Sequence, residues 1–254
     1  MHSDNSMIKI AAISDLHITD TSCPEWQVLM HFLDSQQVAS ATHLYLLGDI
    51  FDLLIGGHQF YAEKFSQFFS RIRDLAAKGK IISYFEGNHD FAFEKLFKNI
   101  HNVTIYRDGQ LLLANGSSYY FCHGDHLETS NYSYIIYTKF IRSKMMRTLI
   151  NLVPSFVIQW IGRHSSRYSR KKGDRKVKII GSHARKDRFI ADVTKFLSKN
   201  QINIMVCGHS HFSAELKILD AHYLNPGRSG HTKKFVWIEG KKAELLTLQS
   251  DSST

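Results

Sequence analysis

Short apolar runs alternate with longer amphipathic stretches in the first half of the chain. Met7–Ser14, His43–Leu47 and Ile81–Phe85 read as buried strands. Between the first two, Thr21/Ser22 with Pro24 marks a helix start, and Trp26, Leu29, Met30 and Leu33 follow at helical spacing. Gln59–Lys78 places Phe60, Phe65, Phe68, Phe69, Ile72 and Leu75–Ala77 at core positions of one amphipathic helix that ends at Gly79. This β-α-β-α-β order predicts a sheet with crossover helices. The texture then changes. Val103–Tyr106, Leu111–Ala114 and Ser118–Cys122 read as short strands separated by Asp108-Gly109 and Asn115-Gly116, which is hairpin chemistry. Tyr132–Lys172 reads as long helical stretches with Arg and Lys interleaved among Ile, Met, Leu, Phe and Trp. An amphipathic helix follows at Asp187–Lys199, then strands at Asn203–Cys207 and Phe212–Ile218. Phe235–Ile238 and Ala243–Leu248 close the chain as a hairpin turned by Glu239-Gly240.

Composition narrows this picture. The chain has 254 residues, 43% of them hydrophobic, enough for a sizeable core. Three prolines and no Gly/Ser-rich tract argue against an interdomain linker, so residues 1–254 read as a single domain with a polar tail at Ser250–Thr254. No secretory signal is visible before the first apolar run, and Met7 is an alternative start. Cys23, Cys122 and Cys207 are widely spaced and read as free thiols, which favours a reducing, cytoplasmic compartment. The net charge of +9 is local. Lys139 to Arg188 holds about fifteen basic residues against two acids, while the remainder is slightly acidic.

The chemistry sits in five short segments: Asp15-Leu16-His17, Gly48-Asp49, Gly87-Asn88-His89-Asp90, His123-Gly124-Asp125 and Gly208-His209-Ser210-His211. Most directly follow an apolar run, so the loops can converge in one pocket. Asp, Asn and His without Cys suit hard or borderline divalent ions: manganese first, with magnesium, iron or zinc as alternatives. That many ligands is too many for one ion. A bridged pair of metals fits better, and such pairs hydrolyse phosphate esters and anhydrides.

These motifs resemble those of the calcineurin-like metallophosphoesterases: D-x-H, GD-x-x-D (here Gly48-Asp49-Ile50-Phe51-Asp52), GNHD, H and GH-x-H, over roughly residues 8–212. The resemblance implies a four-layer α/β/β/α sandwich with a helical cap insertion at about 130–185. It assigns Asp15, His17, Asp49 and His211 to one metal, and Asp49, Asn88, His123 and His209 to the other. His89 would be the catalytic histidine that binds no metal, steadied by Asp90. Asp52 and Asp125 would orient histidine ligands. The GD-x-x-DRG and GNHE signatures of the protein phosphatases are not matched.

The insertion is similar to the cap of the UDP-2,3-diacylglucosamine pyrophosphohydrolases of lipid A biosynthesis. The features that carry this are Pro154 in an apolar helix and the series Arg163, Arg167, Ser169, Lys171 and Lys172, which would bind substrate with Arg228 of the Asn225–Arg228 loop. The implied substrate is a nucleotide-linked lipid, cut to a lipid monophosphate and UMP at the inner face of a membrane. Two departures stand out: His89 where that group often has Arg, and Thr129-Ser130-Asn131 where it has Thr-Asp-Asp. Leu149–Ile161 is apolar and basic at both ends, which suits acyl chains or a headgroup layer and is too short to span a bilayer. Flanking Lys144, Arg147, Arg163 and Arg167 would hold diphosphate. The alternative is a phosphodiesterase or nuclease, with the Arg163–Lys178 basic run on nucleic acid.

Overall fold

The computed structural model describes residues 7–160 and 182–249. Two sheets stack face to face. The first holds β13 (Lys242–Thr247), β12 (Lys234–Glu239), β1 (Lys9–Ile13), β2 (His43–Leu46), β4 (Ile81–Phe85) and β6 (Val103–Tyr106), in that order. The second holds β10 (Ser213–Ile218), β11 (Ala221–Pro226), β9 (Ile204–Cys207), β8 (Ser117–Cys122) and β7 (Gln110–Ala114). A small ladder joins β3 (Leu54–Ile55) to β5 (Asp90–Phe91).

Period-two alternation explains the layers. In β1, Ile10 and Ala12 point into the space between the sheets, where Tyr45, Phe85, Tyr119, Phe121, Val206 and Leu224 meet them. Ala11 and Ile13 point the other way, onto α1 (Pro24–Asp34), α2 (Gln36–Ser40), α3 (Gln59–Lys64) and α4 (Ser66–Ala77). On the outer face of the second sheet, Phe189, Val193 and Leu197 of α7 (Ser182–Leu197) cover Met205, Cys207 and Tyr223. The layers are therefore α/β/β/α, as expected.

Parallel pairing sets the functional edge. β1, β2, β4 and β6 run parallel, and so do β8 and β9, with Cys122 opposite Cys207. Their carboxyl ends release the five ligand segments on one side. Cys122 and Cys207 are buried free thiols and Cys23 is a half-buried one.

Three local expectations change, and one turn holds. The Gln59–Lys78 helix breaks at Phe65, which leaves helical dihedrals (φ −111°, ψ 33°) while its ring packs on Phe51 and Trp26. Asp108-Gly109 is not a hairpin turn: β6 and β7 are edge strands of different sheets, and the chain crosses between them there. Asn115-Gly116 is one, with both residues at positive φ and Ala114 paired to Ser117. The Leu149–Ile161 helix is interrupted. α6 (Lys144–Leu152) stops before Pro154, and a new helical turn starts at residue 155. Proline lacks the donor and disfavours helical geometry in the residue before it, here Val153 at ψ 131°.

Candidate metal centre

The strand-end loops hold their ligands in an unusual backbone state. Asp15, His17, Asp49, His209 and His211 all have φ between 51° and 63°, the sparsely populated left-handed region. Neighbouring hydrogen bonds over-determine it. Asp15 N–H donates to Gly48 O (3.1 Å), and His17 N–H to Asp49 O (2.9 Å). His209 N–H donates to the Asp15 carboxylate (3.0 Å to Oδ2), and His89 N–H to Asp49 Oδ1 (2.9 Å). Two glycines permit the approach: a Cβ at Gly87 would strike the Asp49 carboxylate and amide, and one at Gly208 the Asp15 carboxylate.

The ligand atoms of Asp15, His17, Asp49 and His211 lie within 4.8 Å of one another. His17 Nε2 is 3.1 Å from His211 Nε2 and 3.9 Å from Asp49 Oδ2, and His211 Nε2 is 3.3 Å from Asp15 Oδ1. On the other side of Asp49, His123 Nε2 sits 3.6 Å from Asp49 Oδ2 and 3.2 Å from Asn88 Oδ1. His123 Nδ1 donates to Leu47 O (2.9 Å), so in the neutral ring Nε2 keeps its lone pair. Lone pairs of imidazole, carboxylate and amide oxygen thus converge on both sides of one buried carboxylate. That donor set fits two divalent cations sharing Asp49.

Electrostatics agree with this arrangement. Burial opposes ionisation of Asp49, but His123, His89 and His17 outweigh it and hold its carboxyl below the usual range. Burial lowers His17 to about 4, which favours the neutral, ligating ring. His89 is also buried, yet Asp49 and the Asp52 backbone carbonyl hold its pKa above the ordinary value.

The structure corrects three expected roles. The bonds to Asp90 do not come from the His89 ring. Its carboxylate accepts from the N–H groups of Asp49 (2.8 Å), Ile50 (2.8 Å), Phe51 (3.4 Å) and Gly87 (2.9 Å), and from Tyr84 OH (2.6 Å). Asp90 therefore holds the Asp49 loop. Burial and the Asp49 charge push its pKa up to about 8, against the pull of those donors. His89 Nδ1 donates instead to Asp52 O (3.0 Å), and Nε2 has no hydrogen bond among the described residues. Asp125 pairs with Arg142 (2.8 Å) and not with a histidine ligand.

Arg147 does not wait for phosphate either. It is buried and bidentate to buried Glu86 (2.7 and 2.9 Å), with Glu94 also bound. Arg228 leads a short helix, α8 (Ser229–Thr232), just after β11, and its buried Nε finds no acceptor among the described residues. Arg163, Arg167, Ser169, Lys171 and Lys172 lie outside the described residues.

Two residues at the centre had no motif to announce them. Tyr134, on α5 (Tyr132–Ile141), donates its phenol to Asn88 Oδ1 (3.3 Å) and lies 5.5 Å from the His209 ring. Glu128 Oε2 lies 3.0 Å from His209 Nε2. A lone Tyr on a mixed helix and a lone Glu in a loop carry no spacing signal.

The profile of the family described as calcineurin-like phosphoesterase matches residues 8–213, which includes all five segments. The chain belongs to the calcineurin-like phosphoesterases. Among similar curated proteins, the UDP-2,3-diacylglucosamine hydrolase of Neisseria gonorrhoeae is 27% identical over 205 residues, covering 78% of this chain and 80% of its own. The protein of that name from Histophilus somni (strain 2336) is 29% identical over 207 residues, with 81% and 85% covered. A solved archaeal phosphodiesterase superposes with a TM-score of 0.50 over 95% of this chain and all of its own, at 12% identity, which speaks to the fold alone. As a calcineurin-like phosphoesterase the chain is a metal-dependent phosphohydrolase. Divalent ions, when bound, supply Lewis acidity and an activated water.

Proposed function

We propose that this phosphoesterase hydrolyses UDP-2,3-diacylglucosamine in lipid A biosynthesis, releasing UMP and a lipid monophosphate. Asp15, His17, Asp49 and His211 hold one ion, and Asp49, Asn88, His123 and His209 the other, with manganese the preferred metal. His89 Nε2 faces the phosphoryl oxygens and can hand a proton to the leaving oxygen. Asp90 positions Asp49 through the loop amides. Arg228 offers its guanidinium to the diphosphate, and Arg163, Arg167, Ser169, Lys171 and Lys172 are assigned to the same task on sequence grounds.

The contact between Tyr134 and Asn88 carries this reading. The helix that reaches the metal ligands also exposes Ile136, Tyr137 and Phe140. Its neighbours continue the apolar face: Met145 is 67%, Leu152 74% and Phe156 70% exposed. Apolar surface of this extent beside a phosphate-cleaving centre suits a substrate with acyl chains. Lys139 and Lys144 on the same helices suit an anionic headgroup layer, which supports peripheral contact at the inner face of the membrane. Among the described residues no helix is long and apolar enough to cross one. The names of the curated relatives support the same substrate.

The test is mass spectrometry of products from UDP-2,3-diacylglucosamine, an unacylated nucleotide diphosphate sugar and single-stranded DNA, each with Mn²⁺. UMP and the acylated sugar phosphate should dominate. Faster cleavage of DNA would replace the lipid reading with the nuclease one.

A further inference from the structure

His123 and His209 are oriented by different atoms. For His123, the Leu47 carbonyl accepts a hydrogen bond from Nδ1–H, and Nε2 lies beside Asp49 and Asn88. For His209, the acceptor sits on the opposite nitrogen: Glu128 Oε2 is 3.0 Å from Nε2. A carboxylate can only accept there, so Nε2 carries the proton and Nδ1 is left to ligate.

The Glu128 carboxylate is itself fixed. Its second oxygen, Oε1, accepts from Asn131 Nδ2 (3.4 Å). The next two residues are tied to α7: Thr129 and Ser130 each donate a hydroxyl to Asp192 (2.6 Å both), which is buried. On its far side, Glu128 N–H closes the 3₁₀ turn Asp125–Leu127 by donating to Asp125 O (3.3 Å). That turn begins at Gly124, whose φ of 116° steers the chain away from His123. The segment between His123 and α5 is thereby anchored at both ends, with Glu128 aimed at His209.

We infer that Glu128 is the positioning residue for His209. By accepting Nε2–H it selects the tautomer that presents Nδ1 to the second ion, and it raises the basicity of that nitrogen. The inference rests on His209 being a ligand, as assigned above. It also gives a reason for an acid at position 128 in a segment where Thr129-Ser130-Asn131 contains none.

The experiment is Mn²⁺ titration of the full chain by calorimetry, with metal content after gel filtration, on wild type, His209→Ala, Glu128→Ala and Glu128→Gln. Thermal melts confirm that each variant folds. Wild type should take two ions and His209→Ala one. Glu128→Ala should weaken one of the two ions by about 10–100-fold and leave the other unchanged. Glu128→Gln keeps an acceptor oxygen and should recover most of that loss. A purely structural Glu128 would shift the melt without separating the two affinities. Three results would overturn the inference. If Glu128→Ala binds both ions as wild type does while His209→Ala loses one, Glu128 does not position the ring and the two-metal reading stands. If Glu128→Gln loses as much as Glu128→Ala, the carboxylate ligates the ion directly. If His209→Ala keeps both ions, the ligand assignment itself fails.

Discussion

Around Asp49 the chain is held from several directions, whereas α5 and α6 are held on one side and left bare on the other. Asp90 accepts five hydrogen bonds that fix the Asp49 loop, and Asp15 and Asp49 each accept a backbone amide from a neighbouring motif. The α5–α6 region is anchored mainly through side chains on its inner side. Arg147 binds Glu86 and Glu94, Arg142 binds Asp125, Gly57 N–H donates to Asn151 Oδ1 (3.1 Å), and His58 Nε2 donates to Ile150 O (3.0 Å). Beneath them Ile141 and Ile150 pack on Phe91 and Ala92. On the proposed function the contrast separates two tasks. Ligands for two cations need fixed positions, and strained backbone there is tolerable because so many bonds enforce it. A surface for variable acyl chains needs apolar area on a stable footing.

Breaking the shared ligand should have the largest effect. Asp49→Ala removes the carboxylate that lies beside both His17 and His123, so metal content should fall towards zero and turnover by roughly 10³-fold or more, since metal charge stabilisation is worth several kcal/mol. Elemental analysis of the purified variant, with its turnover, checks this, and wild-type content would break the two-metal reading. His89→Ala sharpens the contrast within the centre. It should lose about 10²-fold or more in turnover while keeping both ions, as expected for a proton donor outside the ligand set. Parallel loss of metal would make His89 a ligand.

Arg147→Ala tests the footing. Glu86 would be left buried and unpaired, costing about 3–5 kcal/mol. In a chain of this size that lowers Tm by roughly 10 °C. Calorimetry should show that drop, and an unchanged melt would mean that the Arg147 ion pairs are not what holds the α5–α6 region.

The cluster of candidate ligands was legible because ligand-type side chains recur at strand ends beside glycine or another such side chain, a pattern chance does not assemble five times. The layers were legible because β1 and β2 are short runs that are apolar on both faces, which calls for cover on either side. Other features depend on partners remote in sequence. Arg147 reads as a solvated phosphate-binder until Glu86, sixty-one positions away, is placed beneath it. Asp108-Gly109 has hairpin chemistry, but local turn residues do not say whether the next strand joins the same sheet or the one stacked on it. β11 escaped notice because its Asn225 and Pro226 look like a loop. Asn225 is in fact buried, and its Nδ2 donates to Gly208 O (2.8 Å) and steadies the last motif. Amphipathic spacing likewise continues across Phe65, where the helix itself does not.

The most direct test of the division between centre and apolar face is one ratio. Turnover of UDP-2,3-diacylglucosamine and of a small generic phosphodiester should be compared in wild type and in a Leu152→Ser/Phe156→Ser variant. Both side chains are largely exposed, so the fold should tolerate the change. Each acyl CH₂ that loses its apolar contact is worth about 0.8 kcal/mol, so the lipid-to-generic ratio should fall by about tenfold or more. An unchanged ratio would contradict the account, because the exposed face would then have no part in choosing the substrate.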